Sequence, residues 1–296
     1  MGTAIRAFTQ EFNRYLISLR RSFIWLLGLI VFVALGIYYF NLRLGMVGFN
    51  SLPHSVYPFS FLTTLYRIGF YQIILLLSAL LISEDAENGV WGITKSLRLP
   101  KFPILFAKFV WILAYSIMGM LLSLAVFYLY LFTFYVPFNI SYVFAGIWVI
   151  LALLLITGLM AMQGLFISSL FSKRLTAVLV AIAFYAFVTQ ISVGYYNNMF
   201  LASTPAYIFN VQMPVLYKFV ILLDPVYFKS LSATILGISS IGMGNNNNGF
   251  GSSSTVGFYV PSMFGSPVGY VEIYLIQFAL LGILIYLVII LRGRFI

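Results

Sequence analysis

Apolar runs of membrane-crossing length, divided by short charged clusters, make up most of this chain. A crossing helix takes about 20 mainly apolar residues at 1.5 Å rise each. Six segments meet that measure: Phe23–Phe40, Phe61–Ile82, Phe109–Phe132, Tyr142–Leu165, Leu175–Ser192 and Tyr270–Leu291. The pattern predicts an all-α polytopic membrane protein with six transmembrane helices in one domain, residues 1–296.

Two stretches depart from a plain bundle. In the leader, residues 1–22, Ile5, Phe8, Phe12, Leu16 and Leu19 recur at steps of three and four and share one helical face. Arg6, Gln10, Asn13, Arg14 and Arg21 lie largely off it. This segment is expected to be an interfacial helix in the headgroup layer that turns into the first span. No small-residue cleavage site precedes Phe23, so that span is expected to be retained. Residues 193–269 are too apolar for a solvated loop, yet "VLYKFVILLDPVYF" and "LSATILGISSIG" are too short to cross. They predict short re-entrant or interfacial helices that form an external lid before the last span. The run "GNNNNGFGSSS" then reads as exposed loop.

Composition agrees with the pattern. The chain is 62% hydrophobic and 7% charged, with a mean hydropathy of +1.06, against about 25% charged residues in a soluble domain. Its net charge of +10 does not point to nucleic acid, because the bases flank apolar runs instead of clustering on one face. Arg6, Arg14, Arg20, Arg21, Lys95, Arg98, Lys101, Lys108, Lys173, Arg174, Arg292 and Arg294 fall on one side of a six-span topology. Arg43, Arg67, Lys218 and Lys229 fall on the other. The richer side is expected to be cytoplasmic, with both termini there and the protein in the plasma membrane.

Candidate chemistry is sparse. Within the six spans the ionisable residues are Arg67 and Glu272, at similar depth near the outer ends, where they suit an outer-leaflet pair between spans two and six. The single His, His54, cannot make a metal site alone, and Cys is absent, so no metal centre is expected. Asn139-Ile140-Ser141 forms a glycosylation sequon on the outer side. Ala177 and Ala181 have the spacing that lets helices approach closely. No G-x-x-x-x-G-K-[ST] occurs, so the chain lacks a P-loop for ATP.

The richest charge pattern is "SEDAENGVWGITKSLRLPKFPILFAK", a cytoplasmic segment over residues 83–108. The second span should continue through Glu84, Asp85 and Glu87 and end at Gly89, which can adopt the left-handed cap. Val90, Ile93 and Leu97 share a face of a short amphipathic helix whose other side carries Lys95 and Arg98. Pro100 stops that helix, and Lys108 anchors the cytoplasmic end of the third span. Such a pattern suits docking to a complementary partner, or a solvated connector.

These residues resemble the signature of the ABC-2 type family of ABC transporter permeases: an acid ending the second span (Glu84 or Glu87), then Gly89, the run "VWGITKSLRL", Pro100 and Lys108. The leader is similar to that family's entry helix, with Glu11 and the Arg20-Arg21 pair before the first span. Where many members have a basic residue and Gly-Thr after the acid, this chain has Asn88-Gly89-Val90. The resemblance implies a non-catalytic permease subunit of an ATP-driven exporter, paired with a second permease copy or paralogue. Each permease would dock a separate ATPase subunit, which holds ATP and Mg, through Val90–Leu99 and the leader. Glu84, Asp85 and Glu87 would be acidic contact and brace, Lys95 and Arg98 docking charges. Two other readings stay open. An ATP-independent channel or secondary carrier predicts mid-membrane ionisable or broken-helix sites. A membrane anchoring or assembly protein would grip another cytosolic partner with the same segment.

Overall fold

A computed structural model of the chain describes residues 2–17, 56–65, 69–90, 96, 100–134, 137–201, 223 and 267–295. The described residues are nearly all helical. In chain order the helices are α1 (Gly2–Ile17), α2 (Val56–Leu65), α3 (Tyr71–Glu87), α4 (Lys101–Phe134), α5 (Ile140–Leu170), α6 (Arg174–Leu201) and α7 (Pro267–Phe295). Three are long and apolar enough to cross a bilayer: α4, α5, and α7 over Tyr274–Leu291. At 1.5 Å per residue α4 and α5 are each about 45–50 Å long, more than the ~30 Å hydrocarbon core. The first expected span, His54, Arg67, Arg20, Arg21, Ile93, Lys95, Leu97 and Arg98 lie outside the described residues, as does most of 193–269.

Within the segment read as a span over Phe61–Ile82, α2 and α3 lie to either side of residues 66–68, which are outside the described residues, with a π-type turn at Gly69–Phe70 leading into α3. One expected boundary differs. Residues 193–201, read as the start of the lid, instead continue α6 to Leu201.

The helices alternate in direction. The α3 and α5 helices run parallel: Gly164 faces Leu75 and Ser78, and Ser168 faces Ile82 and Ser83. The α4 helix returns antiparallel to both, with Phe127 stacked on Phe61 of α2 at 4.3 Å and Tyr128 donating to the Tyr142 carbonyl. The α7 helix runs parallel to α5, with Tyr274 donating to the Leu155 carbonyl at 2.9 Å. Residues 84–90, 100–108 and 171–174 therefore meet at one end of the bundle, the charged end, and α1 packs there against α4.

The α5 helix is the centre of the fold, and the run from Ile156 to Leu165 is buried on every side. A helix hydrophobic all round is one that other helices surround. Lipid supplies little hydrophobic drive between helices, so close packing and hydrogen bonds hold them. Gly164 shows this: a Cβ there would lie 2.3 Å from Ser78 Cβ and 2.7 Å from the Leu75 carbonyl oxygen. Ala177 and Ala181 of α6 are likewise fully buried. At the far end Asn139 caps α5, its side-chain oxygen accepting from the Ser141 N–H at 2.9 Å.

Candidate functional site

Four of the chain's six acidic residues, Glu11, Glu84, Asp85 and Glu87, gather at the charged end. The α3 helix carries three of them past the last apolar residues. It ends at Glu87, where the Asn88 N–H bonds the Glu84 carbonyl at 3.0 Å and Gly89 takes φ +71. A left-handed φ there turns the chain away at little steric cost.

Asp85 is buried, with 2% of its side chain exposed, and Lys108 is entirely so. The Lys108 ammonium donates to Asp85 Oδ2, to Glu11 Oε1 at 2.8 Å and to the Leu81 carbonyl at 3.3 Å. Arg14 closes the group, with Nη1 3.0 Å from Asp85 Oδ1 and 3.8 Å from Glu11 Oε2. Two carboxylates and two bases from three helices thus form a neutral, hydrogen-bonded cluster. Burying such charges is tolerable only when each is paired.

This arrangement sharpens one expectation and corrects another. Lys108, expected to anchor the end of the third span, is fully buried about two turns into α4 and bonded to Asp85, Glu11 and the Leu81 carbonyl. The seam of α1 is not its apolar stripe alone. Ala7 is buried, Ile5 is 60% exposed, and Ala7, Glu11 and Arg14 share the side facing Asp85 and Lys108 (spacing four and three). Phe8 and Phe12 flank that line, packing on Phe106 and Trp111 of α4. The reason is that α1 rests on a partner with charges of its own, so its polar residues are contacts too.

A second, exposed cluster joins α3 to the start of α6. The Arg174 backbone N–H and Nε both bond Glu87 Oε2 at 3.0 Å, and Nη1 lies 3.6 Å from Glu84 Oε1. The backbone N–H bond from Arg174, then its side-chain bond, hold the Glu87 carboxyl below the usual carboxylate range. All three acids of the 84–87 cluster are therefore engaged within the chain. Pro100 precedes α4 directly, Val90 and Ser96 are helical, and Glu272 lies in the first turns of α7.

Sequence reasoning missed the polar residues of the α3–α5 seam. The Ser168 hydroxyl accepts from the Ile82 N–H at 2.9 Å and the Ser83 N–H at 2.8 Å. Gln163, buried in α5, accepts from Tyr71 at 2.9 Å and donates to the Leu223 carbonyl at 2.6 Å. Gln163 lies about 35 Å along α5 from Ile140. Leu223, in the stretch expected to form the external lid, is therefore against the half of α5 nearer the charged end. A Gln inside an apolar run was the available signal. Among the described residues no group of three His, Cys, Asp or Glu side chains is placed to hold a metal ion.

No family model matches the chain, and no curated protein and no solved structure matches it.

Proposed function

We propose that this chain is the non-catalytic, membrane-spanning subunit of an ATP-driven exporter in the plasma membrane, with its charged end and both termini in the cytoplasm. It works as a pair with a second permease copy or paralogue, and a separate ATPase chain supplies ATP and Mg. The buried Glu11–Arg14–Asp85–Lys108 cluster carries this reading. It fastens α1 to the inner ends of α3 and α4, so a push on the surface helix is passed directly to two helices of the bundle. Arg174 extends the same fastening to α6.

Two further observations support it. Between Phe109 and Ser172 the sequence holds no Asp, Glu, Lys, Arg or His, which is little equipment for ion-driven transport. The order acid, Gly89, apolar-basic run, Pro100 and Lys108 resembles the ABC-2 permease signature. In this reading Glu84, Asp85 and Glu87 are the brace. The segment from Val90 to Pro100, with Lys95 and Arg98, is the docking surface.

Affinity purification of the tagged full chain from its native membrane tests the proposal. A P-loop ATPase should copurify, and Lys95→Glu with Arg98→Glu should release it while the permease stays folded. Recovery of the intact permease with no ATPase under any mild detergent would refute the reading.

A further inference from the structure

At the charged end α4, α5 and α7 enclose a groove of about 710 Å³. Met162, Leu165 and Ile285 form its buried floor, and Phe102, Phe106 and Ile283 stand exposed along its rim. It is closed at depth by Phe109 against Phe278, edge to face at 5.6 Å. At its mouth the Lys101 ammonium spans 3.5 Å to the Ile289 carbonyl. Between Phe278 and Ile289 it follows about 16 Å of α7.

Its lining decides what fits. Apart from the Tyr286 hydroxyl, the side chains along it are apolar, which suits a hydrocarbon chain. The mouth adds a charge requirement. Lys101 begins α4 and reaches to Ile289 of α7, and Arg6 is exposed on α1, whose Phe8 packs on Phe106. Residues 1–10, 98–110 and 273–296 contain no Asp or Glu. An apolar slot with the Lys101 ammonium at its mouth matches an anionic phosphodiester headgroup carrying acyl chains.

We infer that this groove is a binding site for an anionic phospholipid of the leaflet at the charged end, with an acyl chain along Met162, Leu165 and Gly282 and the phosphate at Lys101. The inference stands without the exporter reading. Gly282 makes the slot: a Cβ there would meet only Met162 Cε, at 3.4 Å. A large side chain at that position would project into the acyl path.

The test uses the full chain in phosphatidylcholine vesicles containing a small fraction of phosphatidylglycerol with a photoactivatable acyl chain. Adducts should concentrate on Phe102, Phe106 and Ile283. Unlabelled phosphatidylglycerol should compete at least tenfold better than unlabelled phosphatidylcholine, a comparison that needs no variant. Lys101→Gln should lower labelling severalfold. Ile283→Trp, on the exposed rim, and Gly282→Trp should remove it, so the idea remains testable if the second fails to fold. Equal competition by the two lipids overturns the inference. So does labelling spread evenly onto lipid-facing α5 positions such as Trp148 and Leu151, or capture of a second copy in place of lipid.

Discussion

The charged end and the α3–α5 seam hold the same helix, α3, by opposite means. At the charged end Asp85 is fixed by the Lys108 ammonium and the Arg14 guanidinium. Two to three turns earlier, Ser78 and Leu75 are fixed by Gly164, which contributes no side chain at all. Paired charges suit a boundary where water is near enough for folding to deliver them. Close backbone approach suits a depth where burying apolar surface gains little over lipid. The two joints therefore differ in what breaks them: the first fails when a partner is removed, the second when an atom is added.

The largest effect should come from Lys108→Met. It leaves buried Asp85 and Glu11 with only the half-exposed Arg14 as counter-charge, and it should cost about 3–5 kcal/mol, read as a lowered midpoint of thermal unfolding in detergent. Combining it with Asp85→Leu and Glu11→Gln should restore most of that loss. A combined variant as unstable as the single one would mean that packing, not pairing, dominates this joint. Next, Gly164→Ala should cost about 1–3 kcal/mol by overpacking in the same assay. Pairing it with Ser78→Gly, which removes the atoms that clash, should recover much of the loss. Asn139→Ala, remote from both joints, should cost about 1 kcal/mol through the lost cap.

The smallest effect is acid-dependent. The folded-state pKa of Glu87 is depressed by its bonds from Arg174, so its stabilisation is present above the unfolded-state carboxyl pKa. It fades as pH falls through the lower folded value. Wild type and Glu87→Gln should differ modestly in unfolding midpoint at pH 7 and converge as the pH is lowered below about 4. A gap that persists in strong acid would show that the carboxylate charge is not the cause.

The sequence made the helices legible, and not their seams. Long uncharged runs gave α4, α5 and α7 to within a turn or two of their apolar cores, because hydropathy and length reflect the same constraint. Gly89 was readable as the stop of α3 because few other residues sit easily at positive φ. The ionic joint was half visible. The acids at 84–87 stood out, but hydropathy counts every Lys or Arg as facing water, and the fully buried Lys108 does not. Pairing across 23 or more residues leaves no periodic trace in one sequence. Ser168 and Gln163 were hidden for a related reason: uncharged polar residues barely lower the hydropathy of a run as apolar as α5.

Gln163 has one further consequence. Its oxygen receives the Tyr71 hydroxyl while its nitrogen donates to Leu223, so the amide has a single workable orientation. Turned over, it would set two carbonyl oxygens against each other at Leu223. One amide consequently ties Tyr71 of α3 and Leu223 to α5, so replacing Gln163 would remove both bonds at once.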